Sequence, residues 1–142
     1  MECVVGQRFS RDVTFDEESI REFARMVGDK NQLHHDKEMA SRTRFGGLIA
    51  SGTHSAAIMM GVVTAFSAQF GPSLGLEFSV MLRKPIRAGE RLHIEWEVSA
   101  IEKKPSLGGS VVSFTGRMIN NKDETAVSGF VKGLLMMEDD SL

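Results

Sequence analysis

The sequence predicts an α+β fold in which an antiparallel sheet wraps around one long helix. Residues 53–70 are apolar on nearly every side, and a helix of that kind is buried on every side. The segments that follow alternate apolar and polar residues with a period of two, which indicates strands with one face on a core and the other in solvent. An open sheet of this kind has unpaired edges, so we expect a second chain to cover them.

The composition indicates one ordinary globular domain, which we take as residues 1–142. A formal charge of −2 provides no basic surface field, so a nucleic-acid partner is not expected. The single cysteine, Cys3, cannot form an internal disulfide, which favours a reducing, cytoplasmic location. Residues 48–70 have the length of a membrane span, but they contain His54, Gln69 and several Ser/Thr residues, so no membrane partner is expected.

The first helix has both a start signal and a stop signal. Thr14 followed by Glu17 is a capping box, which predicts a helix beginning after Thr14. Gly28 stands where a left-handed cap usually ends a helix. The apolar residues between them that share one helical face are Ile20, Phe23, Ala24 and Val27.

The remaining elements follow from periodicity and from turn residues. We predict a short exposed helix over 36–44, a tight connection over 45–52, and turns at 87–90 and 120–124. The predicted strands are residues 76–86, 92–102, 109–120 and 124–137. In the second of these strands, the residues that face the core are Leu92, Ile94, Trp96 and Val98.

Polar side chains are concentrated directly after the first helix, in the stretch VGDKNQLHHD (27–36). Asp29 and His34 would lie about 140° apart on a continuous helix, whereas a loop after Gly28 lets them converge. Three interpretations are open. The stretch is a polar loop with side-chain turns, or a metal site using His34, His35 and Asp36, for which a fourth ligand is missing. In the third interpretation, Asp29 and His34 form an acid–base pair.

Three ordered motifs resemble the MaoC-like hotdog-fold hydratases and dehydratases. They are GDKNQLHHD (28–36), FGGLIASGT (45–53) and LRKPIRAGERL (82–92), and the resemblance covers roughly residues 5–135. It implies a hotdog fold, in which a long central helix is wrapped by the sheet. It also implies reversible addition of water to trans-2-enoyl-CoA thioesters, giving (R)-3-hydroxyacyl-CoA, in a homodimer.

The resemblance also implies roles for individual residues. Asp29 and His34 match the catalytic pair, and Asn31 matches the asparagine that orders the loop and lines the site. Gly52 matches the glycine whose backbone N–H contributes to an oxyanion hole, with Thr53 beside it at the helix entrance. No cofactor is implied beyond the coenzyme A of the substrate, and no metal is expected.

The sequence departs from the family pattern at several positions. Gln32 stands where a proline is usual, and His35 is an additional imidazole that we interpret as a solvent-facing loop residue. Ser51 and Thr53 make the helix entrance more polar than usual. His54 is either a packed, neutral histidine or a substrate contact.

Basic residues flank Pro85 in the third motif. Arg83, Lys84 and Arg87 are either a solvated charge cluster or contacts for the phosphates of coenzyme A. Two other functions are compatible with a hotdog fold, namely an acyl-CoA thioesterase and a non-catalytic acyl-CoA-binding subunit. The sequence leaves open the acyl-chain length, the choice between coenzyme A and a carrier protein, and the direction of the reaction.

Overall fold

The computed structural model describes residues 2–136. Among these residues, no helix combines the length and apolarity that crossing a bilayer requires. Its elements in chain order are β1 (Arg8–Thr14), α1 (Glu17–Val27), a 3-10 turn (Gln32–His34), α2 (Lys37–Ser41), α3 (Gly52–Ser67), β2 (Ser73–Leu82), β3 (Arg91–Lys104), a second 3-10 turn (Pro105–Leu107), β4 (Gly109–Ile119) and β5 (Thr125–Met136).

The strands form one sheet in the order β1-β3-β4-β5-β2, and every neighbouring pair is antiparallel. Helix α3 packs on one face of this sheet and contributes Met59, Val62, Val63 and Phe66 to the core. This arrangement confirms the predicted α+β architecture and the hotdog fold. The inward face of β3 is also confirmed, since its four predicted core residues are all buried.

One tryptophan fixes the helix to the sheet. Trp96 on β3 is only 2% exposed, and its indole lies across Gly116 on β4 and Gly129 on β5. A side chain at Gly116 would overlap the indole ring. The indole N–H donates a hydrogen bond of 3.1 Å to the carbonyl of Met59 on α3. The two glycines therefore set the distance between the sheet and the helix.

The N-terminal part of the chain differs from the prediction in three ways. The pattern did not indicate β1, which is an edge strand. The helix cap is Asp16 rather than Thr14, because Thr14 pairs with Arg91 in the sheet while Asp16 Oδ1 accepts the N–H of Ser19 at 2.7 Å. Val27, predicted to face the core, is exposed.

The sequence predicted that helix α3 is buried on every side, and this prediction is wrong. Thr53, Ala57 and Thr64 form an exposed stripe on it within the single chain. The helix also ends at Ser67, three residues earlier than predicted.

Strand β2 is the second edge strand of the sheet. It pairs with β5 on one side, and its apolar side chains remain about half exposed. These side chains are Leu74, Leu76, Phe78, Met81 and Leu82. The end of β2 lies close to the start of α3, because a Cβ placed on Gly52 would overlap the side chain of Leu82.

Candidate active site

Helix α1 ends in a glycine cap that directs the chain into the polar loop. Gly28 has a φ of 75°, in the left-handed region that favours glycine. Its N–H donates to the carbonyl of Arg25 at 3.1 Å, and the N–H of Asp29 donates to the carbonyl of Ala24 at 2.8 Å. These two bonds form a Schellman motif. Asp29 is therefore outside the helix, but its backbone is fixed to it.

Side-chain turns order the loop that follows. Asp29 Oδ1 accepts the N–H of Asn31 at 3.0 Å, and Asn31 Oδ1 accepts the N–H of Leu33 at 3.1 Å. The carbonyl of Leu33 in turn accepts the N–H of Ile49 at 3.1 Å. The polar-loop interpretation is thus correct as a local description, and the same turns bring the carboxylate and the imidazole together.

The loop places the Asp29 carboxylate beside the His34 imidazole. Asp29 Oδ2 lies 3.4 Å from His34 Nε2, with the Asp29 side chain 31% exposed and that of His34 only 7% exposed. On the other side of the ring, His34 Nδ1 lies 2.8 Å from the carbonyl oxygen of Ile49. A carbonyl oxygen only accepts, so Nδ1 carries the ring proton. In neutral His34, Nε2 therefore presents its lone pair towards the carboxylate.

Within the described residues, the start of helix α3 presents polar groups that have no partner. Ser51 is the N-cap residue, but its hydroxyl caps no backbone N–H and has no partner within residues 2–136, although it is buried. In the same described part of the chain, the N–H groups of Gly52 and Thr53 have no acceptor. Ile49, which holds the His34 ring, precedes Gly52 by three residues. The loop and the helix end are therefore joined.

A cavity of about 310 Å³ opens beside this helix end, with Gly52 and Ser55 in its wall. Its lining is largely apolar and includes Phe45, Leu82 and Val127. Three cationic side chains also line it, namely Arg44, Arg83 and Lys84. The cavity therefore combines apolar wall residues with three exposed cations at its rim, and Asp29 and His34 are not among its lining residues.

The structure separates the three basic residues of the third motif. Arg83 and Lys84 line the cavity, but their partners do not: Arg83 Nε donates to the hydroxyl of Ser128 at 3.2 Å, and Lys84 Nζ pairs with Glu124 at 3.4 Å. Arg87 is not part of the cavity lining, and its Nε donates to the carbonyl of Phe45 at 3.0 Å.

Sequence reasoning missed Arg44 as a possible binding residue. The one available signal was its position directly before the FGG of the second motif. Its role on the cavity rim depends on the approach of β2, which is remote in sequence.

His54 is packed against aromatic rings. It is 6% exposed, stacks on Phe23 at a centroid distance of 4.4 Å, and meets the edge of Phe15 at 4.8 Å. Burial lowers the pKa of His54, and the charge of Asp16 opposes this shift. Of the two interpretations from the sequence, the packed histidine is the one that the structure supports.

The interpretation of His35 as a solvent-facing residue is wrong. The ring is partly buried, and its Nε2 lies 2.6 Å from the backbone carbonyl of Asp29. Within residues 2–136, no group of three or more His, Cys, Asp or Glu side chains is arranged to hold a metal ion.

A hotdog domain with a carboxylate–imidazole pair next to the start of its central helix has the architecture of the hotdog hydratases and dehydratases. The chain belongs to the family of MaoC-like domains, whose model matches residues 4–116. A UPF0336 protein of Streptomyces avermitilis is 34% identical over 124 residues, which cover 81% of this chain and 79% of the relative.

Two further relatives have names that state an activity. The (R)-hydratase of A. caviae, described as involved in PHA biosynthesis, superposes with a TM-score of 0.82 at 27% identity, covering 94% of this chain and 97% of that one. A 3-hydroxybutyryl-CoA dehydratase of Methylorubrum extorquens is 30% identical over 82 residues, which cover 56% of this chain and 50% of the relative. These similarities support lyase chemistry of the hydratase and dehydratase type.

Proposed function

We propose that this protein reversibly adds water to a trans-2-enoyl-CoA thioester, giving (R)-3-hydroxyacyl-CoA, or catalyses the reverse dehydration. The observation that carries the proposal is the 3.4 Å approach of Asp29 Oδ2 to His34 Nε2, in a loop joined to the start of α3. The similarity to an (R)-hydratase supports the stereochemistry.

The orientation of the His34 ring suits the pair to holding a water molecule. Because Nδ1–H is donated to the carbonyl of Ile49, both Nε2 of neutral His34 and Oδ2 of Asp29 are acceptors. A water molecule can donate one hydrogen to each of them. That water is then oriented for attack, with a proton acceptor already in contact.

The hydration step balances with these groups alone. One member of the pair takes a proton from water while the water oxygen bonds to Cβ, and the electrons of the double bond move to the thioester oxygen. The proton taken from water is then delivered from the pair to Cα as the enolate collapses to the thioester. This transfer returns His34 Nε2 and the Asp29 carboxylate to their starting states.

The amides at the start of α3 supply the stabilisation of negative charge that this step needs. The N–H groups of Gly52 and Thr53, which have no acceptor within residues 2–136, carry the partial positive charge of a helix N-terminus. They are suited to hydrogen bonding the enolate oxygen as charge develops there. One donor of this kind typically contributes about 10²–10³ in rate.

The direct test is the loss of enoyl-thioester ultraviolet absorbance with short and medium trans-2-enoyl-CoA, followed by chiral analysis of the product. Formation of the (R)-3-hydroxyacyl thioester supports the proposal. Release of free thiol from a saturated acyl-CoA, without hydration, would indicate the thioesterase alternative. Binding of acyl-CoA without either reaction would indicate a non-catalytic subunit.

The cationic rim of the cavity is the proposed contact for the phosphates of coenzyme A. We expect Arg83→Gln combined with Arg44→Gln to raise KM for an enoyl-CoA about fivefold or more, with kcat nearly unchanged, because exposed charge contacts contribute about 1 kcal/mol. The measurement is steady-state kinetics at two ionic strengths.

Arg11→Gln on β1, which is outside the cavity lining, is the control for the loss of positive charge. A KM that stays the same in the double variant would remove Arg44 and Arg83 from the binding site. In that case Arg87, which does not line the cavity, would be tested next.

We further propose that two copies of this chain form a homodimer that covers the β2 edge. Leu76 and Phe78 on this strand are about half exposed, and its outer backbone groups have no neighbouring strand within residues 2–136. Sedimentation equilibrium at micromolar concentration is expected to give twice the 15.6 kDa chain mass, and Phe78→Lys is expected to shift the protein towards monomer. A wild-type monomer would contradict this assembly.

A further inference from the structure

We propose that His35 is a positioning residue for the acid–base pair, acting through the hydrogen bond from its ring to the backbone carbonyl of Asp29. The inference rests on the proposed function, since it assigns His35 to the same site. Its ring is directed at the peptide group that follows Asp29 and is partly buried.

The hydrogen bond completes the fixation of the Asp29 backbone. His35 Nε2 lies 2.6 Å from the Asp29 carbonyl, and the ring nitrogen must be the donor because a carbonyl oxygen only accepts. The N–H of Asp29 already donates to Ala24 at 2.8 Å. Both peptide groups that flank Asp29 are therefore held, which sets the direction of its Cα–Cβ bond. That direction determines whether Oδ2 points at His34.

His35 is itself held in place. Its carbonyl accepts the Nε–H of Arg21 at 3.1 Å, and its N–H donates to the carbonyl of Gln32 at 3.0 Å. Arg21 lies on α1, and its Nη1 is 3.8 Å from Oε2 of Glu17, one helical turn earlier. The imidazole thus connects the far end of the loop, anchored to α1, with the near end at Asp29.

This connection restricts a loop that contains no proline. A proline would fix one backbone torsion and so reduce the freedom of the unfolded loop, and residues 28–36 have none. The bond from His35 to Asp29 closes the loop across six residues and restricts the same segment by a different means. No other donor reaches the Asp29 carbonyl within residues 2–136.

Two variants at this position separate the hydrogen bond from mere side-chain volume. His35→Leu fills similar space without a donor, whereas His35→Gln places an amide N–H about as far from the backbone as Nε2. We expect His35→Leu to lower kcat about 10–100-fold with KM for enoyl-CoA nearly unchanged, since small displacements of a catalytic group have effects of this size. We expect His35→Gln to remain within about threefold of wild type.

A second readout does not depend on turnover. Hydrogen exchange of the Asn31 and Leu33 amides, which donate to the side chains of Asp29 and Asn31, reports the order of the loop. Exchange should accelerate about tenfold or more in His35→Leu, remain near wild type in His35→Gln, and stay unchanged in α3 of both variants.

The outcomes are distinct. Full kcat and unchanged exchange in His35→Leu would overturn the inference, and so would equal losses in the leucine and glutamine variants. Absence of hydration in the wild type would count against the proposed function instead. The exchange measurement would then still decide whether His35 positions Asp29.

Discussion

Replacement of Asp29 by asparagine is expected to reduce the turnover of enoyl-CoA about 10²–10⁴-fold while leaving the fold intact. In the wild type, Asp29 Oδ1 accepts the N–H of Asn31 at 3.0 Å. The Oδ1 of an asparagine can accept the same N–H, so the loop keeps its turn. The new amide cannot take up a proton. Its NH₂ group would also donate to the lone pair of His34 Nε2 and block the second member of the pair.

The measurement is steady-state hydration, together with the thermal midpoint of each protein. Asp123→Asn is the matched control, because Asp123 lies in the turn between β4 and β5 with a φ of 63°, a conformation that asparagine tolerates. We expect the control to retain wild-type turnover. Hydration by Asp29→Asn at the wild-type rate would refute the assignment of Asp29, even if the substrate class were correct.

Elements with a long, distinctive pattern were predictable from the sequence. Helix α3 is an almost uninterrupted apolar segment of 16 residues, longer than a typical strand, and the first part of β3 alternates apolar and polar residues, so both elements were predictable. Strand β1 was not, since RFSRDVT contains only two large apolar residues and is recognisable as a strand only by its pairing with β3. That pairing also explains the wrong cap, because it incorporates Thr14 into the sheet and leaves Asp16 to begin the helix.

The candidate site was also predictable only in part. The spacing of Asp29 and His34 after Gly28 allowed the two side chains to converge, and the resemblance to the MaoC-like family predicted them as a pair; they lie 3.4 Å apart. The contact between the His35 ring and the Asp29 carbonyl was not predictable, because the direction of the ring depends on the 3-10 turn that lies between the two residues. Arg44 joins Arg83 at one cavity only after β2 has passed the start of α3. Contacts between remote segments leave no local pattern in the sequence.

A large loss of stability is expected from a side chain at Gly116. A Cβ there would overlap the indole of Trp96 and approach the carbonyl oxygen of Glu95 to 2.6 Å. The indole cannot retreat, because it is buried, lies against Gly129 and is hydrogen bonded to the carbonyl of Met59. We therefore expect Gly116→Ala to lower the free energy of unfolding by about 3 kcal/mol or more.

Urea unfolding followed by fluorescence provides the measurement, since Trp96 is the sole tryptophan and lies at the altered contact. Gly61→Ala is the matched control. Gly61 lies inside α3, and a Cβ there would meet no atom within 4 Å. Alanine in a helix interior is favoured over glycine by about 0.5–1 kcal/mol, so this variant should be slightly more stable than wild type. Equal stabilities of the two variants would show that Trp96 does not hold α3 against the sheet at the distance that Gly116 sets.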